Sequence, residues 1–199
     1  LGDQALVLGW RSHPKDASER YAVVGGLLQP VAATPWPTLP AGCVSNESLK
    51  PWVMPLLYEQ LVTRQLEPQP ELRPAAALFA SFGSLDYDGD PSAGTKLDAF
   101  VRWAQHVLHR YGSSLLQLVI GDKGSYFYAT FGAPIAEEHY IQHAAHAALA
   151  LSNPPAELAP IVAVHVGVSA GTIWAGTYGD ARCRTYGTLG SEINLAARL

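Results

Sequence analysis

Sulfur, charge and long apolar runs are what this chain has least of. Its 199 residues include two cysteines and one methionine. Cys43 and Cys183 lie far apart, which excludes a disulfide-dense secreted scaffold. Two reduced thiols in a cytoplasmic protein is the simplest account. Charged residues make up 15% of the chain, and the net charge is -4 without a basic run. That leaves no electrostatic footprint for nucleic acid. No apolar stretch reaches the ~18 residues of a membrane span. The chain opens Leu1-Gly-Asp-Gln, with no initiator methionine, basic n-region or cleavage-site pattern, so no signal peptide is read there.

What is present suits a packed core. Hydrophobic residues make up 48%, enough for one domain flanked by further segments. Residues 1–30 hold two apolar runs, Ala5–Leu8 and Tyr21–Leu28, around a polar loop. They read as a hairpin, or as the closing strands of a preceding domain. Residues 31–71 begin with Pro35, Pro37 and Pro40, a density that resists both helix and central strand, hence a stiff linker. Leu49, Trp52, Val53, Leu56, Leu57, Leu61 and Leu66 then follow helical spacing, with a kink expected at Pro55.

From residue 72 the pattern becomes a series of short elements. Ala75–Phe82 reads as a strand. Thr95 is placed to cap a helix from Lys96 to Tyr111, with Leu97, Phe100, Ala104, Val107 and Leu108 as its buried stripe and Gly112 as its stop. Residues 115–120 and 125–131 read as a hairpin about Gly121-Asp-Lys-Gly124. A helix is expected over 134–151. Strands are expected over 161–169 and 172–177, with a turn at Ala170-Gly171, and a loop carrying Arg182 and Arg184 follows. The order, β-α-β-β-α-β-β-β-α, predicts an α+β sandwich.

Two metal patterns are incomplete. His139, His143 and His146 have helical spacing, but no Cys or carboxylate completes a tetrahedral set, so a solvated helix face is the plainer reading. Asp86-Tyr-Asp-Gly-Asp90 resembles the start of a calcium loop, yet its twelfth position is Leu97 rather than a bidentate Glu.

The chain closes on Tyr186-Gly-Thr-Leu-Gly-Ser-Glu-Ile-Asn-Leu-Ala-Ala-Arg-Leu199. Ser191 is placed to cap a final helix with Glu192 in its first turn. Asn194 and Arg198, four apart, share a face, and Leu195 and Leu199 are expected to pack inward beside them. No glycine stop follows, so a fragment of something longer is expected. From spacing alone, a solvated surface is the plainer reading of the Asn/Arg pair.

Taken in order, four stretches resemble the catalytic domain of class III adenylate/guanylate cyclases over residues 72–199. They are Ala76–Ala80, Ile120–Pro134, Val164–Gly179 with its Gly167, Gly171 and Gly176, and the closing block with Asn-Leu-Ala-Ala-Arg. Asp122-Lys-Gly124 and the Leu/Pro-rich lead-in look most like the second cyclase domain of soluble-type adenylate cyclases and their bacterial multidomain relatives. The resemblance implies a ferredoxin-like α+β domain, C-terminally incomplete here, with an antiparallel-rich sheet and helices packed on it. It implies head-to-tail pairing of two such domains around a nucleoside triphosphate, with ATP favoured. The ribose 3′-oxygen attacks the α-phosphate and pyrophosphate leaves. Mg or Mn ions assist.

The implied residue roles divide unequally. Asn194 matches the residue that orients the ribose, and Arg198 the one that steadies the phosphates. Of the two metal aspartates, Asp122 matches one, with a plain turn role equally open, while Ser81 stands at the other. The metals therefore fall mainly to a companion domain, in cis or trans. The base-reading Lys position is Leu118, with Gln117 beside it and Lys123 nearby; the second base contact is Gly187. A half-site of a cyclase core is the first expectation. A degenerate regulatory or dimerisation domain is the alternative.

Overall fold

The computed structural model describes residues 4–14, 16–30, 32–35, 37–63, 70–83, 85–121, 124–158, 163–180 and 183–199. The chain divides into two compact units, Leu1–Ser48 and Leu49–Leu199. The first holds an antiparallel hairpin of β1 (Ala5–Ser12) and β2 (Arg20–Leu27). On it the Arg20 guanidinium lies 5.3 Å from the Trp10 ring centre. A short helix, α1 (Asn46–Leu49), runs across the boundary in sequence.

The lead-in expected as one kinked helix is broken. After α1 come a 3-10 turn at Lys50–Trp52 and α2 (Pro55–Thr63). Pro51 and Pro55 cause the break, because each removes an amide donor and each starts a new turn. Leu66 lies outside the described residues.

The second unit is built on a five-stranded sheet ordered β4-β5-β3-β6-β7, antiparallel at every pairing. Its members are β3 (Glu71–Phe82), β4 (Ser114–Gly121), β5 (Gly124–Phe131), β6 (Val164–Gly179) and β7 (Arg184–Leu189). With α3 (Ala93–Arg110), α4 (Tyr140–Leu151) and α5 (Ser191–Ala196), the unit is the α+β, ferredoxin-like arrangement the sequence implied. Pro74 is tolerated inside β3 because β5 pairs only from Ala76 onward, leaving that edge without a ladder to break.

Alternation in β3 sorts its two faces. Ala76, Leu78, Ala80 and Phe82 meet Phe100, Ala104 and Leu108 of α3 and Ala144, Ala147 and Leu151 of α4. Phe100 is the centre of this layer, with ring centres 4.7 Å from Phe82 and 6.2 Å from Phe127. The other face carries a smaller core of Ala75, Ala133, Ile173, Ala175 and Tyr186, joined by Met54, Leu57 and Ile193. Burial of the Tyr186 phenol there pushes its pKa up to about 12.

Several boundaries differ from expectation. The N-cap of α3 is Ser92 rather than Thr95. The Asp90 carboxylate gathers Ser92 and Lys96 around the helix start, so the helix begins two residues before Thr95. Its end is as read: Gly112, at φ 73, donates to His109 while Ser113 donates to Leu108, which closes the last carbonyls. Helix α4 starts at Tyr140 rather than residue 134, after a loop through a cis Ala133–Pro134 bond. The turn expected at Ala170-Gly171 is absent. β6 is one strand of 16 residues, held straight through that point by β3, with Ala76 opposite Ala170 and Ala75 opposite Gly171. Residues 161 and 162, expected in its first part, lie outside the described residues.

Candidate functional site

On the face away from α3 and α4, β6 presents Gly167, Ser169 and Gly171 at the period of two that keeps residues on one side. Helix α5 sits on these three. A Cβ at Gly167 would stand 2.2 Å from the Ala196 carbonyl oxygen, and one at Gly171 would stand 2.9 Å from Glu192 Cγ. Between them the nearly buried Ser169 hydroxyl donates to the Glu192 carboxylate. The glycines of this stretch thus mark close approach of a helix, not a turn. Gly176 does the same for Pro70, whose Cα would lie 2.7 Å from its Cβ.

This seat fixes the phase of α5. Ile193 and Ala196 face inward, while Asn194 is exposed. Leu195 and Leu199, expected to pack inward, are 48% and 75% exposed; the i, i+3 pair 193/196 takes the inner side instead. Ser191 is the first helical residue, not the cap. Gly190 holds that position at φ 150, without a side-chain cap bond. The helix closes at Ala196 with Ala197 as C-cap. Arg198 therefore stands in the turn beyond, its amide donating to the Leu195 carbonyl, and its exposed side chain reaches solvent.

Arg198 and Leu199 also border a cavity of about 640 Å³, whose other walls include Phe79, Ser81, Tyr126, His165 and Gly167. Ser81 sits at the middle of a cross-strand row, opposite Tyr126 on β5 and His165 on β6. Phe79 stacks on Tyr128 beneath this row, with ring centres 5.1 Å apart. Burial is the main cause that raises the Tyr128 phenol above its ordinary pKa, with Tyr178 nearby adding to it. Tyr126 and His165 were not singled out from the sequence, because register, which brings them beside Ser81, is not written in either strand alone.

The other expected residues are spread out. Gln117 is exposed and opposite Tyr128, on the same side as Ser81. Leu118, opposite Phe127, packs on the α3 side of the sheet. A register shift between Leu115 and Gln117 sets this phase. Gly187 pairs with Gly176 and lies under the Tyr178 ring, whose Cε1 would be 2.7 Å from a Cβ there. Asp122, Lys123 and Arg182 lie outside the described residues. The structure thus brings Ser81 and Arg198 to one cavity, whose described walls do not include Asn194, Gln117 or Gly187.

A pair of hard divalent cations asks for carboxylate oxygens. The described walls of the cavity offer hydroxyl, imidazole and guanidinium groups and no carboxylate. Among the described residues no three His, Cys, Asp or Glu side chains converge. These residues do not fit a resident metal pair. Of the histidine trio, His146 stacks on Tyr111. His143 Nδ1 lies 3.0 Å from Glu137, without hydrogen-bond alignment. No helix among the described residues is long and apolar enough to cross a membrane.

The fold is that of the class III nucleotidyl cyclase catalytic domains. The adenylyl cyclase CyaB from P. aeruginosa matches it with a TM-score of 0.58 at 16% identity, over 65% of this chain and 72% of that one. The guanylate cyclase domain of RhGC from Catenaria anguillulae, in complex with GTP, matches with a TM-score of 0.54 at 15% identity, over the same shares. In sequence the chain is similar to adenylate cyclase type 10 of Homo sapiens, 27% identical over 156 residues, which is 76% of this chain. It spans 10% of that relative's length. No protein-family model matches. In fold and in sequence alike, the chain is similar to cyclase catalytic domains.

Proposed function

We propose that this chain supplies the Asn194/Arg198 half of a paired adenylate/guanylate cyclase core, opposite a companion domain that holds the metals. One observation carries the reading. α5 and the turn after it leave Asn194 and Arg198 exposed beside a built seat, whereas β3 carries the neutral Ser81 next to its last residue. On this reading the domain keeps the Asn/Arg half of the chemistry and, with Ser81 at one metal position, at most Asp122 of the metal pair.

The favoured substrate is ATP, on the similarity to adenylate cyclase type 10. The 3′-oxygen forms its bond to the α-phosphorus as the bond to the bridging oxygen breaks. Cyclic AMP and pyrophosphate result, and the 3′-hydroxyl gives up its proton. Asn194 would hold the ribose through its amide. Arg198 would fork onto phosphate oxygens and offset the charge that builds on them. Mg or Mn belongs with the companion's carboxylates. We place the assembly in the cytoplasm, with the companion in cis or trans.

A homodimer of this chain would repeat Ser81 at both sites, so the chain alone should form little or no cyclic nucleotide. Mixed with an aspartate-bearing companion it should become active, and Asn194→Ala or Arg198→Ala should abolish the gain. Activity that both substitutions leave untouched would sink the half-site reading. A second reading, a regulatory or dimerisation module, is favoured by Gly187 under the Tyr178 ring and by Leu118 packed on the core, because neither position then reads a base. Binding to the companion without any dependence on Asn194 or Arg198 would select it.

A further inference from the structure

We propose that Glu192 is the positioning residue of this half-site. Through the Ser169 hydroxyl it fixes α5 on β6, and so sets where Asn194 and Arg198 stand. The functional part of this inference rests on the half-site reading above; the structural part does not.

A helix of six residues is too short to persist on its own propensity. Something outside it must hold it. Apolar packing of Ile193 and Ala196 contributes, and three contacts on one face of β6 add to it. Gly167 admits the Ala196 carbonyl at the helix's far end, and Gly171 admits the Glu192 side chain at its near end. The two glycine contacts only make room. Among the described residues the Glu192–Ser169 hydrogen bond is the one side-chain hydrogen bond from α5 to the sheet, and a charged acceptor makes it stronger than a neutral one. Glu192 also lies in the first turn, where the helix dipole favours a negative charge. Asn194 follows it by two residues and is exposed. Without Glu192, no side-chain hydrogen bond among the described residues ties α5 to the sheet.

Two measurements test this on the whole chain. In hydrogen exchange, Glu192→Ala should speed the amides of residues 193–198 by about tenfold or more, leaving β3 and α3 protected. Ser169→Ala should do the same, and the double variant should add little to either. Glu192→Gln, which keeps an acceptor at the same reach, should restore most of the protection. In the active paired assembly, Glu192→Ala should lower kcat roughly 10- to 100-fold with little change in KM, as expected when a reacting group is misplaced, and Glu192→Gln should recover most of it. Wild-type exchange in Glu192→Ala overturns the inference, as does a Glu192→Gln variant no better than Glu192→Ala. If the wild-type assembly is inactive, the half-site reading fails, and exchange still decides whether Glu192 positions the helix. Should Glu192→Ala unfold, Ser169→Ala compared with Glu192→Gln gives the same decision.

Discussion

Gly167 lies so close under Ala196 that a methyl group on it would stand 2.2 Å from the Ala196 carbonyl oxygen. The obstacle is backbone, not a flexible side chain, so relief requires α5 or β6 to move. Gly167→Ala should cost about 1–3 kcal/mol in chemical denaturation and should lower any activity that depends on Arg198. Gly94→Ala is the control. Nothing lies within 4 Å of its Cβ position, in the first turn of α3, so that change should raise stability by roughly 0.4–1 kcal/mol. Equal effects of the two substitutions would refute the close-approach account.

Asn194 and Arg198 are exposed, so removing either should leave thermal stability within about 0.5 kcal/mol of wild type. In the paired assembly, loss of a preorganised donor to developing charge costs about 10²- to 10³-fold in kcat. Arg198→Ala should fall in that range. Arg198→Lys should recover little, since a point charge does not reproduce a planar fork. A lysine variant with full activity would assign Arg198 to general charge rather than bidentate contact.

Ser81 stands one residue before the end of β3, between Tyr126 and His165. Ser81→Asp places a carboxylate there and should give the chain Mn affinity measurable by calorimetry, with Ser81→Asn as the neutral control. Identical heats for wild type and Ser81→Asp would show that the serine is not what withholds the metal.

Asp90 accepts hydrogen bonds from Lys96, at 2.6 Å, and from Ser92. The Lys96 bond first, and Ser92 second, lower its pKa from 3.8 to about 2. A depressed carboxylate favours the fold above its unfolded value, and that contribution disappears as pH falls through the folded one. The loss should therefore occur between about pH 4 and pH 2. Carboxyl chemical shifts should report the low titration, and Lys96→Met should move it upward. An unmoved midpoint in Lys96→Met would overturn the assignment to the lysine.

Much of the domain was legible where periodicity is local. The α3 stripe, its Gly112 stop and the β4–β5 hairpin follow from spacing within one element. The unbroken β6 did not, because glycine signals a bend and a close approach with the same letter. Only the position of α5 shows which applies at Gly167 and Gly171. The site divides the same way. Asn194 and Arg198 were readable as a pair in one block, whereas Tyr126 and His165 beside Ser81, and Glu192 on Ser169, arise from register and packing between segments far apart in sequence.

β6 runs unbroken for 16 residues, roughly 50 Å at strand rise. Its first half bears α5, and its last residues pair with β7 and so hold Gly187. Helix and hairpin are therefore mounted on a single beam. A change in the strand's twist, whether imposed by a docking domain or by strain at β7, must turn both mountings together. Arg198 and Gly187, the positions proposed for phosphate and base, would then shift as one lever rather than as two independent parts.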